Sequence, residues 1–387
     1  MRPHFIKPLK DVLVSESVDI AIIGGGSSGL SLARELSQLE RAPSTLVIEP
    51  KSPQERDCSW ALWAQQSTGE NYSTAVKGRW PSWQLIDHNG SVTHTGSSYQ
   101  YLSLSAAKYL TDCESQLKPP VSVHRDEVKS LKSLDKGGLI TTRQSTIHAQ
   151  YIYDSRPVNQ PRFTLRQHFL GWEIKTKQPL DNPSVATLMD FRTDQSQGLH
   201  FIYVLPFSSR HILVESTLVS RQLQHKDWYR QAIQAWLQDR GIEVAEHIGE
   251  EYGVIPLEAQ PTATQAIGAA SGAIRRSSGY GFTTIQKQTK ALATAITQGN
   301  YNVPRPISSY LNMMDSIFNA VLLNYPQLSS QIFMRTAKVL NGDQFARFML
   351  GQADAFIWAK VIAAMPKAPF LKQMISRHSG QVPLEQY

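Results

Sequence analysis

The chain has 387 residues, 41% hydrophobic and 18% charged, a globular composition. At about 150 residues per domain that length corresponds to two or three structural units, enough to bury a core without disulfides or metal. Two cysteines, Cys58 and Cys113, are too few for a disulfide framework or a four-thiolate zinc site, so a reducing compartment and no metal site are expected. No run reaches the ~18 apolar residues of a membrane span. Met1 to Lys7 lack the apolar stretch of a secretory signal, so a cytoplasmic protein is expected. The 39 Lys and Arg exceed the 32 Asp and Glu by 7. That excess favours anionic surfaces such as nucleotide phosphates, nucleic acid or lipid headgroups, and no nucleic-acid motif accompanies it.

Residues 18–49 carry the first chemistry. Val18–Ile23 is short, apolar and β-branched, as a buried parallel strand requires. Gly24-Gly25-Gly26-Ser27-Ser28-Gly29 follows at once and fits G-x-G-x-x-G. Leu30, Leu32, Ala33 and Leu36 share one face of a helix ending near Leu39, and a second strand, Thr45–Ile48, ends at Glu49, 20 residues past Gly29. Gly24 permits the tight turn, Gly26 lets backbone approach a pyrophosphate, and Gly29 allows the helix to pack on the strand. The helix N-terminus, with Ser28 in its first turn, offers free N–H groups, and Glu49 can accept from a ribose. This arrangement binds FAD or NAD.

Later segments read as returns to the same domain. Ala149–Arg156 forms another strand ending at a turn, and Gln265–Gly272 leads through Gly279-Tyr280-Gly281-Phe282 into a helix over 283–297. A nucleotide domain built from separated pieces favours FAD. The expected fold is α/β: a Rossmann-like FAD-binding flavoprotein fold with an inserted mixed-sheet substrate domain and a helical C-terminal region. Its expected parts are an N-terminal extension (1–17), a discontinuous FAD domain (18–80, 121–160 and 261–300), a substrate domain (81–120 and 161–260) and a helical cap (301–387). The cap pattern places helices over 308–323, 329–340, 342–350 and 354–365. Their apolar faces and the basic residues Arg335, Lys338, Arg347, Lys360, Lys367 and Lys372 suit either an anionic bilayer or packing on the substrate domain.

Within the substrate domain, Glu215 sits in the alternating strand Ile212–Leu218 and shares a face with Leu213 and Thr217. Periodicity alone is compatible with an edge-strand glutamate in water or a buried carboxyl of raised pKa. Glu250 and Glu251 read equally as a solvated turn. Asp190 and Arg192 form an ion pair, cavity-lining or structural. Trp60, Trp63, Trp80 and Trp83, with Phe201, Tyr203 and Phe207, are core or the walls of an apolar site.

Several segments together resemble the flavin-dependent lycopene cyclase family of carotenoid biosynthesis, of the bacterial lycopene β-cyclase type. They are Asp57–Trp63, Phe169-Leu170-Gly171-Trp172-Glu173-Ile174, Leu188–Arg192, Phe201–Phe207, Leu213-Val214-Glu215-Ser216-Thr217, Glu251–Pro256, Ser277–Phe282, Arg347–Gly351 and Ala364–Phe370. The resemblance implies a redox-neutral ring closure of a lipophilic polyene, assisted by reduced FAD with NAD(P)H as reductant. It implies Glu215 as acid, with Glu251 and Asp190 as further catalytic carboxylates. Trp60, Arg156, Gly279, Tyr280 and Gly281 would join the glycine loop at the cofactor, and Trp63, Arg192 and Tyr203 would meet substrate. Two departures stand out. Ser216 replaces the second of two adjacent acids, and Arg275-Arg276 stands where a proline is usual, adding a cation beside the flavin segment. Alternatives are a family member redirected to another unsaturated natural product, and an FAD monooxygenase or halogenase, although a halogenase's Trp-x-Trp-x-x-Ile segment is absent.

Overall fold

The computed structural model describes residues 16–67, 72–157, 164–258 and 265–378. Nearly all of the N-terminal extension thus lies outside the described residues. The chain opens with β1 (Glu16–Ile23), α1 (Ser27–Ser37) and β2 (Thr45–Ile48). It continues through β3 (Ser59–Gln65), β4 (Val76–Trp80), β5 (Ser82–Asp87), β6 (Gly90–Thr95), β7 (Tyr99–Ser105) and α2 (Ala106–Ser115). Four strands follow, β8 (Val121–His124), β9 (Ser130–Ser133), β10 (Gly138–Thr141) and β11 (Thr146–Asp154). Then come β12 (Arg166–Thr176), β13 (Val185–Asp190), β14 (Leu199–Ser208), β15 (His211–Ser220), α3 (Lys226–Asp239), β16 (Val244–Pro256) and α4 (Phe282–Thr297). The chain ends in α5 (Ser309–Asn324), α6 (Ser329–Val339), α7 (Gly342–Met349), α8 (Ala355–Ala364) and α9 (Lys367–His378).

The nucleotide half is a six-stranded sheet in the order β8-β2-β1-β11-β10-β9. β1 lies between β2 and β11, parallel to both, so its C-terminal end and the glycine loop sit where the chain crosses to either side. Ile20 and Ile22 of β1 are fully buried, which explains the uninterrupted apolar run. α1 and α4 pack side by side in this half's core. The sequence-based boundaries need one correction. Residues 81–120 do not travel together: β5 and β6 join the substrate sheet, whereas Tyr109, Leu110 and Cys113 of α2 are buried in the nucleotide core.

The substrate half is a seven-stranded mixed sheet, β16-β12-β15-β14-β13-β5-β6, and a three-stranded sheet, β3-β7-β4, lies between the halves in sequence. The large sheet is covered on both faces. Leu170, Ile202, Val214 and Leu218 point to one side and bury Tyr229, Ile233 and Leu237 of α3. Phe201, Tyr203, Leu205 and Leu213 point to the other and share a core with Val321, Ile332, Phe333 and Phe345 of the C-terminal helices. The cap is therefore a packed part of the substrate half. Its four expected helices are present within a residue or two at each end, and α9 is an addition. No helix among the described residues is long and apolar enough to cross a membrane.

Candidate active site

A cavity of about 410 Å³ opens between the two halves, bounded by Ser27 at the start of α1, Trp60 on β3, Gly279–Phe282 ahead of α4, and the front face of the large sheet. Strand register sets what lies on its floor. Gly171 of β12 pairs with Glu215 on one side and Glu251 on the other, and Tyr203 pairs with Glu215 in turn. Tyr203, Glu215, Gly171 and Glu251 thus form a row across four strands. Because Gly171 has no side chain, the two glutamates lean together over it: a Cβ there would lie 2.7 Å from Cγ of Glu215 and 3.4 Å from Cγ of Glu251.

The two carboxyls differ in their other contacts. Glu251 Oε2 accepts from the Ser59 backbone N–H at 2.8 Å, and its buried Oε1 has no hydrogen-bond partner. Burial raises the pKa of Glu215 well above the usual carboxylate range, and the charge of Glu251 raises it further. Burial also raises Glu251, but the hydrogen bonds from Glu215 and Ser59 and the charge of Lys77 oppose that rise. Of the two, Glu215 is therefore the carboxyl that holds its proton more strongly, with Glu251 as the neighbouring base. Lys77 Nζ donates to Glu173 Oε2 at 2.6 Å and to Ser59 Oγ at 3.1 Å, and His211 Nε2 lies 2.8 Å from Glu173 Oε1. Above the pair, Tyr101 OH lies 3.0 Å from Tyr203 OH and 2.7 Å from Tyr280 OH, and burial holds all three as neutral phenols.

The glycine loop fits a dinucleotide. Cβ atoms at Gly24 and Gly29 would meet protein at 2.4 and 1.9 Å, but one at Gly26 finds only Arg56 Nη1 at 3.8 Å. Gly26 and Gly281 are the N-caps of α1 and α4, and neither helix has a side-chain cap, so both present free N–H groups to anionic or carbonyl oxygens. Glu49 accepts from Gly25 N–H at 2.7 Å, from Lys51 N–H at 2.9 Å and from Arg56. Burial would raise its pKa, but these bonds hold it below the usual range. Ser28 is buried beneath Gly268, so its side chain serves the packing of α1. Arg156 is bound to Asp154 through Nε at 3.0 Å and Nη2 at 2.7 Å, outside the cavity.

Other expected residues fall elsewhere. Asp190 and Arg192 are corrected: Asp190 is fully buried but accepts from Arg192, from Arg240 at 2.7 Å and from Trp236 at 3.0 Å, and so ties β13 to α3 away from the cavity. Trp63 stands behind the wall, 4.8 Å from the Tyr101 ring and 4.9 Å from that of Tyr280. Trp60 and Tyr203 line the cavity. Sequence reasoning did not single out Lys77 or Tyr101. No local pattern marks them, because strand pairing brings them to the site. Ser59 and Glu173 were visible only within their motifs.

The family model for lycopene cyclase protein matches residues 19–335. The chain belongs to the lycopene cyclase family. It is 24% identical over 324 residues to the lycopene beta cyclase of Capsicum annuum, covering 76% of this chain and 63% of that one. A lycopene beta-cyclase of Pseudescherichia vulneris is 22% identical over 245 residues, covering 62% and 61%. The chain thus spans less than two thirds of the curated relatives it matches. Among solved structures, a geranylgeranyl bacteriochlorophyll reductase-like protein from Thermoplasma acidophilum superposes with a TM-score of 0.62 at 13% identity, over 93% of this chain and 99% of that one, which establishes the flavoprotein-type fold.

The two departures from the lycopene cyclase pattern now have positions. Ser216 faces the back of the sheet, where its Oγ lies 2.9 Å from His200 Nε2, so the exchange removes no acid from the cavity. The second carboxylate of the site comes from Glu251, on another strand. Arg275 is spent on Asp315, at 3.0 Å, and on the carbonyl of Phe348. It braces α5 and α7 and does not line the active cavity.

Proposed function

We propose that this lycopene cyclase family member closes a ring at an acyclic end of a polyene, of the lycopene to β-carotene type, by acid–base chemistry without net oxidation. The carrying observation is the Glu215–Glu251 pair over Gly171, two carboxyls brought together on the floor of an apolar cavity, where burial raises the pKa of Glu215. Glu215 donates its proton to the terminal double bond, and the neighbouring double bond attacks the resulting carbocation. The pair, now one proton short, takes back the proton lost from the new ring, so atoms and charge balance. Phe201, Tyr203 and Phe169 wall the cavity with π faces that favour a cation and exclude water.

The N-termini of α1 and α4, the space over Gly26 and the carboxylate of Glu49 would hold FAD. Bound there in its reduced form, FAD would supply negative charge that favours a cationic intermediate, with NAD(P)H as the proposed reductant. The protein would work in the cytoplasm, with its helical end resting on the inner membrane surface, where such a substrate resides.

The test is anaerobic: purified protein, FAD reduced with dithionite, no NAD(P)H, and lycopene in liposomes. The reading expects a product of unchanged mass and blue-shifted absorbance that Glu215→Gln does not form. A product appearing only after oxygen is admitted would establish oxygenation instead. Tight flavin binding with no turnover of lycopene would indicate a different unsaturated substrate.

A further inference from the structure

A second cavity, of about 370 Å³, lies inside the helical cap between α5, α6, α7, α8 and α9. Its inner end is formed by Ile317, Phe333, Phe345 and Met349, all buried. Its outer end is formed by Tyr310, Ile362, Leu371 and Met374, which are 56%, 48%, 55% and 44% exposed. A mouth of large exposed apolar side chains on three helices marks a site for an apolar ligand. The charged residues at its walls are already engaged. Arg275 pairs with Asp315 at 3.0 Å, and Lys367 Nζ donates to the carbonyl of Ala363 at 3.0 Å. A ligand in this chamber gains no ionic partner, and five methionines along it (313, 314, 349, 365 and 374) adapt to a long flexible shape.

The chamber adjoins the active cavity. Ser278 lines both, so the partition is one side chain thick there, and its buried Oγ has no hydrogen-bond partner. A small gap beside it is bounded by Tyr280 and Gly281 from the active cavity and by Arg275 and Met349 from the chamber. The active cavity, at about 410 Å³, is near the lower end of sites for drug-sized ligands and must also admit part of a cofactor. A long chain has to continue beyond it. We infer that the cap chamber holds the non-reacting remainder of an elongated hydrocarbon substrate whose other end lies over Glu215 and Glu251. This rests on the polyene reading of the active cavity and adds to it a selection for chain length.

Trp358 lines the chamber, 5.2 Å from the Phe348 ring, and reports its occupancy. Binding is measured by quenching of tryptophan fluorescence in full-length protein. The probes are lycopene and a polyene of half its length bearing one of the same acyclic ends. The chamber requires that Trp358→Phe reduce the quenching by lycopene and leave that by the short chain unchanged. Leu371→Asp, a change at the exposed mouth that spares the fold, should weaken lycopene binding about tenfold, equivalent to ~1.4 kcal/mol, and the short chain by less than twofold. Equal effects on both chains, or none on either, would overturn the proposal. So would quenching of Trp358 by bromolipid vesicles alone, which would assign the chamber to a lipid acyl chain. If the length-dependent binding holds and neither polyene is cyclised, the ring-closure reading fails and the chamber stands. If both are cyclised and binding is indifferent to Leu371, the chamber fails and ring closure stands.

Discussion

Glu215 and Glu251 lean together only because Gly171 puts no side chain between them. Glu215→Gln retains a donor toward Glu251 but no proton to give, so turnover should fall by about 10²–10⁴-fold with flavin retention unchanged, checked by single-turnover assay. Its stability should move the other way. The folded pKa of Glu215 lies above its unfolded value of ~4.3. The native state therefore binds the extra proton, and the wild type's stability from this group is complete below ~4.3 and declines as pH rises through the folded value. Gln does not titrate. Melting curves at acid and alkaline pH should show the wild type losing ground to Glu215→Gln as pH rises; parallel curves would mean that the pKa of Glu215 is not raised on folding. Gly171→Ala tests the geometry directly. Its Cβ, 2.7 Å from Cγ of Glu215, pushes that side chain off the pair, at a cost of about 1–3 kcal/mol in denaturant melts together with lost turnover.

At the scale of elements, the pleat separates neighbours in sequence that look equivalent. Glu251 faces the cavity, whereas Glu250 accepts from Arg230 at 2.7 Å and from Trp172 at 3.1 Å on the side of α3. Glu215 and Ser216 part in the same way. Asp190 belongs with the structural set: Asp190→Asn should cost on the order of 3 kcal/mol, because Arg192 and Arg240 lose their shared buried anion. Turnover per folded molecule should be unchanged, as a melt and an active-site titration together would show. These outcomes mark what sequence can carry. β1, the glycine loop and the α4 entry were legible because each is local, a run or a spacing read within thirty residues. Glu215 was legible as a motif and ambiguous as a strand residue. Its partnership with Glu251 depends on β12 lying between β15 and β16, a long-range pairing that no local period encodes. Asp190 misled for the converse reason: its pair with Arg192 was legible, but its further partners, Trp236 and Arg240, come from α3 and its C-terminal end some fifty residues later.

Over the whole molecule, the nucleotide half, the three-stranded sheet and the large sheet meet around one cavity, which Ser27, Trp60, Glu215 and Gly281 border. A ligand bound there touches parts that otherwise share few contacts, so it should stabilise them as a unit. At a free concentration 100 times its Kd, FAD adds ~2.7 kcal/mol, which for a chain of this size corresponds to a rise in Tm of a few degrees. Gly26→Val separates binding from folding. The nearest protein atom to a Cβ at Gly26 is 3.8 Å away, so the side chain costs the protein alone little, yet it projects into the space a pyrophosphate needs over the N-terminus of α1. The Tm without FAD should stay within about a degree of wild type, and the rise on adding FAD should vanish. A variant that melts early without FAD would show that Gly26 serves the turn itself. A full rise in the variant would place the pyrophosphate elsewhere than over this loop, and the N-terminus of α4 would then be the remaining uncapped helix end at the cavity to hold it.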